Sequence, residues 1–106
     1  MKISNIDEYK NGWFVGDFSP TVLSTDACEV AIKYYKAGEK EDSHMHKVAI
    51  EVTAVVSGKV RMNDKEWSDG DIIHLDPGEV TNFEAISDAI TVVVKTPSIK
   101  NDKYKV

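Results

Sequence analysis

Gly38-Glu39-Lys40-Glu41-Asp42-Ser43-His44-Met45-His46-Lys47-Val48-Ala49-Ile50-Glu51-Val52-Thr53-Ala54-Val55-Val56-Ser57-Gly58 is the stretch whose reading decides the fold of this 106-residue chain. Two of the chain's three histidines stand two apart in it, just ahead of Ala49 to Val56, a run β-branched and apolar enough to be a strand buried on both faces. Period two puts both imidazoles on one strand face. Glu51 follows His46 by an odd number of residues, so simple alternation would turn its carboxylate away from the rings. Convergence requires an irregular step near Lys47-Val48. With that step, two imidazoles and a carboxylate meet at one point, a ligand set suited to divalent Fe, Mn, Ni or Zn. Without it, His44 and His46 read as ordinary strand histidines. Glu51, embedded among Ile50, Val52, Ala54 and Val55, must then reach solvent or a partner such as Lys33 or Arg61, because an unpaired buried charge is costly.

Outward from this stretch, apolar residues keep recurring at spacing two in short runs broken by turn residues, the pattern of strands rather than helices. Trp13 to Phe18 makes a first strand, closed by Ser19-Pro20. Cys28 to Tyr35 makes a second, with Cys28, Val30, Ile32 and Tyr34 on one face. The charged residues Glu39 to Asp42 read as a lead-in to the histidines. After Ser57-Gly58 turns the chain, Lys59 to Met62 is expected to return as the hairpin partner of the 49–56 strand. Asn63-Asp64 supplies a tight turn before Glu66-Trp67. Asp71 to Leu75, Thr81 to Ala85 and Ile90 to Val94 follow, separated by turn residues. Eight or nine short strands predict an all-β sandwich or barrel. One domain covering residues 1–106 is expected, with its barrel core at about 12–95 and residues 96–106 as an extended arm or frayed end.

Composition excludes several function classes. Formal net charge is −5 and the thirteen basic residues are scattered, so neither nucleic acid nor an anionic membrane finds an electrostatic footprint. No uncharged apolar run approaches the length that spans a bilayer, and the first residues lack the apolar stretch of an export signal. A soluble, cytoplasmic protein is therefore expected. Cys28, the only cysteine, excludes an internal disulfide and reads as a small buried residue rather than a nucleophile.

The spacing Gly38, five residues, His44-x-His46, four residues, Glu51, six residues, Gly58 resembles the first motif of the cupins at every anchor position. Gly70-Asp71, a strand and Pro77-Gly78 are similar to the second cupin motif, which continues to a third histidine and a downstream asparagine. Here Thr81 stands at the histidine's place, and Asn82 follows it directly instead of four residues on. The resemblance covers 38–83 and implies a cupin-type double-stranded β-helix, a jelly-roll barrel with its ligands projecting inside. It makes His44, His46 and Glu51 the ligands of a divalent transition metal (Fe, Mn, Ni or Zn). Thr81 takes the place of a fourth ligand, and three protein ligands plus water is an ordinary catalytic arrangement. His74 is either a displaced ligand or a face-exposed histidine, and parity across the Pro77-Gly78 turn leaves the choice open.

The resemblance further implies a small polar or anionic molecule bound in the barrel, with Thr81, His74, Tyr34 and Phe83 as candidate contacts and no catalytic residue assigned. Three roles stay open: a metal-dependent small-molecule enzyme, a metal-free ligand-binding module, and a sugar-nucleotide-modifying cupin with a histidine as general base. Trp13 and Trp67 read as packing or dimer-contact residues. A homodimer is expected, its contact placed on the first strands and Trp13.

Overall fold

The computed structural model describes residues 1–106. Two short 3-10 turns, Ile6–Glu8 and Lys10–Gly12, precede eleven strands: β1 (Trp13–Gly16), β2 (Leu23–Ser24), β3 (Glu29–Tyr35), β4 (Lys40–Met45), β5 (Ile50–Ser57), β6 (Lys59–Met62), β7 (Lys65–Ser68), β8 (Ile72–Leu75), β9 (Thr81–Ala85), β10 (Ala89–Thr96) and β11 (Tyr104–Lys105). A six-stranded sheet is ordered β2-β1-β3-β10-β5-β8 and a five-stranded sheet β11-β4-β9-β6-β7, the all-β double-stranded β-helix that the sequence implies. No helix is long and apolar enough to cross a membrane.

Local chemistry explains most turns. At the β6–β7 hairpin, Asn63 and Asp64 both take positive φ (54° and 64°), as a two-residue turn of type I′ requires. Lys59–Met62 is not the hairpin partner of β5, contrary to the sequence expectation. Ser57-Gly58 carries the chain from one sheet to the other, and β6 pairs with β7 and β9. Lys40–Met45, read from sequence as a charged lead-in, is a strand paired with β9 and β11. The segment expected to fray is also built in: β11 pairs with β4, and Ser98 and Asp102 are buried.

The core cluster, Val55, Val60, Met62, Leu75, Phe83, Ala85 and Ala89, fills one end of the space between the sheets. Each large side chain buried there contributes roughly 1.5–3 kcal/mol. Along β5 the inward residues change character, from Val55 in this cluster through buried Thr53 to buried Glu51. One strand thus links an apolar end of the barrel to an ionisable end.

The outer face of the six-stranded sheet is apolar too. Val30 lies opposite Val94, Ile32 opposite Val92 and Tyr34 opposite Ile90; Val94 and Val92 in turn face Val52 and Ala54, and Ala54 faces Ile72. Tyr34 (63% exposed) and Ile72 (69%) show that this face is uncovered. The face carrying Val30, Ile32 and Tyr34 is therefore outside, and Ala31, Lys33 and Tyr35 point inward. Cys28 is half-buried beside that outer face.

Gly38 and Gly58 share a φ of +92°, but a Cβ at Gly38 would meet nothing within 4 Å, whereas one at Gly58 would lie 2.2 Å from the Asp88 carbonyl oxygen. Gly38→Ala is expected to cost about 1–2 kcal/mol from backbone strain alone. Gly58→Ala should cost more, since Asp88 and Ala89 must move; urea denaturation of both variants gives the order.

Candidate metal centre

His44 enters the barrel from β4 in the five-stranded sheet and His46 from just past that strand's end, while Glu51 enters from β5 in the six-stranded sheet. The chain changes sheets between them, bending at Lys47-Val48. The odd separation is resolved by this crossing, because the two sheets face one another. All three side chains are buried, at 6–7% exposure, and their ligand atoms lie within 4.8 Å of one another.

Backbone carbonyls orient both rings. His46 Nδ1 lies 2.6 Å from the Asp102 carbonyl oxygen and His44 Nδ1 lies 3.0 Å from that of Asp42. A carbonyl only accepts, so each Nδ1 carries the proton and each Nε2 presents a lone pair. His46 Nε2 is 3.4 Å from Glu51 Oε1, too long for a good hydrogen bond, and has no hydrogen-bond partner. Two lone pairs and a carboxylate turned toward one another in a buried space call for a cation among them. The donor set and the hydrogen bonds behind it fit a divalent metal.

The crossing itself is clasped by Asp102. Its carboxylate accepts the backbone N–H groups of Lys47, Val48 and Ala49 at 2.9–3.2 Å. Burial pushes this carboxyl up, but the three backbone donors outweigh it and hold the group below its usual range. At Glu51 burial also raises, while the contact with His46 in its protonated form and the charge of Lys95 bring the carboxyl below its usual range. Burial pushes Lys33 down, with Lys95 and Lys103 acting in the same direction and Glu41 and Glu51 against. Tyr35 is pushed well up, first by burial and then by Glu41, Glu51 and Glu39, so its phenol stays protonated and able to donate.

A cavity of about 170 Å³ adjoins this cluster and is lined by His44, Glu51, Thr81 and Phe83 among others. Thr81 lies opposite His44, 2% exposed, and its hydroxyl donates to the Asn82 carbonyl at 3.1 Å. Phe83 packs 4.4 Å from Tyr35, centroid to centroid. Two candidate contacts lie elsewhere. Tyr34 is on the outer sheet face and Tyr35 takes its place inside. His74 lies opposite Val52 on the outer side, its side chain 57% exposed and 3.4 Å from Asp76. Trp13, read from sequence as a packing or dimer-contact residue, lines the cavity.

Sequence reading missed Asp102, Glu41, Lys95 and Lys103, and named Lys33 only as a possible partner of Glu51. Lys33 and Lys95 carried a usable signal, since each interrupts an apolar strand at an inward position.

No family model matches the chain, and no curated protein matches it. Among solved structures, it resembles an uncharacterized conserved protein with a double-stranded β-helix domain from Klebsiella pneumoniae, at 26% identity over 92% of this chain and 85% of the other, with a TM-score of 0.69. An RmlC-like cupin from Shewanella frigidimarina matches at 18% identity over 72% and 71% of the two chains, with a TM-score of 0.66. Oxalate decarboxylase from Bacillus subtilis, a protein with Mn(II) centres, matches at 16% identity and a TM-score of 0.68. That match covers 77% of this chain and 24% of the enzyme.

Asp102→Ala leaves three backbone donors without their acceptor. It should lower stability by about 2 kcal/mol, on the order of 10 °C in Tm. Asp102→Asn, which keeps one accepting oxygen, should lose less; thermal melts of both variants check the order.

Proposed function

We propose that this chain, which has the double-stranded β-helix fold, is a small cupin that holds a divalent transition metal on His44, His46 and Glu51 and acts on a small polar or anionic molecule bound beside it. One observation carries the reading: both Nδ1 atoms are committed to carbonyls, leaving the Nε2 atoms turned toward the Glu51 carboxylate. Such an ion would supply Lewis acidity at a buried position. The chain's own groups do the rest: Thr81 takes the place of a further ligand without a strong donor, leaving room for a ligand molecule, and protonated Tyr35 offers a hydrogen bond. The alternative of a metal-free sugar-nucleotide cupin is less well supported, since about 170 Å³ would enclose only the sugar end of such a molecule.

Elemental analysis of protein purified without a chelating tag tests the metal. A stoichiometric divalent ion is expected in the wild type. His46→Ala and Glu51→Gln should reduce affinity by about 10-fold or more. A metal-free wild type after growth with Fe, Mn, Ni and Zn would overturn the assignment.

We also place a second copy of the chain on the outer face of the six-stranded sheet. Strands β3, β10, β5 and β8 present roughly 450 Å² in projection. Side-chain relief raises this toward the roughly 800 Å² per partner of a standard interface. Outward Val, Ile and Tyr side chains suit an apolar, self-complementary contact. Unpaired Cys28 suits the reducing cytoplasm in which we place the protein. Light scattering should give a dimer for the wild type and a monomer of unchanged metal content for Val92→Glu; a monomeric wild type refutes the contact.

A further inference from the structure

The cavity beside the ligand cluster holds groups that a metal does not account for. Lys33 from β3, Lys95 from β10 and Lys103 from the C-terminal segment all line it. None of their ammonium groups lies within 4.0 Å of a carboxylate oxygen; the chain's ion pairs are His46–Glu51, Arg61 with Glu66 and Glu84, His74–Asp76 and Lys105–Asp42. Lys33 and Lys95 instead set their ammonium groups over the same indole, 5.1 and 4.8 Å from the Trp13 ring. Two like charges sharing one ring are held together without a counter-charge.

The charge balance runs against that of the molecule. The protein carries a net −5, yet its cavity sets three ammonium groups against two carboxylates, Glu41 and Glu51. One positive charge is left over, and a divalent ion at the ligand cluster raises the excess to three. Thr91, 0% exposed, also lines the cavity, and its hydroxyl has no hydrogen-bond partner. A buried donor without an acceptor and an excess of cations both ask for an anion.

We propose that the cavity selects a small carboxylate, its charged end set against Lys33, Lys95 and Lys103 and its carbon body against Trp13 and Phe83. The inference rests on the metal reading only for the ligand's other end, which faces His44 and Glu51. The aromatic wall decides the class, since inorganic phosphate or sulfate has no carbon body to place there. At ~30 Å³ for each water-sized volume, the cavity suits a ligand of roughly six non-hydrogen atoms.

Isothermal titration calorimetry on the full chain, stripped of metal and loaded with Mn(II), tests the assignment with oxalate, malonate and pyruvate as probes. Oxamide, malonamide and inorganic phosphate serve as controls. Binding of at least one carboxylate is expected, with each control about 10-fold weaker or worse. Lys33→Met should lose about 10-fold in affinity while keeping wild-type metal content; Lys95→Met should lose as much, and Lys95→Arg should restore most of that loss. Lysine-dependent binding by a chain that takes up no metal would leave this inference standing and end the metal reading alone. The inference is overturned if no carboxylate binds in either state, if the amides or phosphate bind as well, or if the methionine variants bind like the wild type.

Discussion

Where the chain leaves the five-stranded sheet for the six-stranded one, three consecutive backbone N–H groups point at a single carboxylate, that of Asp102. The carbonyl of the same residue, 56 positions along the chain from His46, fixes which ring nitrogen carries the proton. Everything at the cluster follows from this contact. It holds the bend that brings His46 opposite Glu51, and it settles which lone pair faces the carboxylate. A bend of this kind, unclasped, would leave the His46 ring free to rotate and the Glu51 carboxylate buried without a defined neighbour.

Around that contact the barrel is divided. At one end Val55, Val60 and Phe83 pack as an ordinary core. At the other, inward positions carry ionisable groups that burial alone would neutralise. Burial pushes the Glu51 carboxyl up, while the charge of Lys95 and a protonated His46 ring act the other way and leave it below its usual range. The apolar end supplies the stability that allows the polar end to keep charges out of bulk water, and threonines 53, 81 and 91 form the seam between the two.

The architecture was legible wherever side-chain period and turn chemistry agreed. The 38–58 spacing, the Asn63-Asp64 turn and the strands at 59–62 and 81–85 needed nothing from tertiary structure. β4 was hidden because its inward positions include Glu41, so a polar cavity erased the alternation that marks a strand. The facing of β3 was lost for the opposite reason, since the outer face is as apolar as the inner one and Tyr34 could not be told from Tyr35. Asp102 left no trace, because a carboxylate that binds backbone groups of a distant bend has no periodic signature. Lys33, Lys95 and Lys103 converge only after the sheets form.

The hydrogen bond between His46 and the Asp102 carbonyl has an effect in both directions. Linkage is reciprocal, so a ligand that immobilises the imidazole also fastens residues 98–102, and a fastened tail pre-organises the imidazole. A rigid fusion or a proteolytic cut that pries this segment loose would thus reach the cavity without touching any residue that lines its floor.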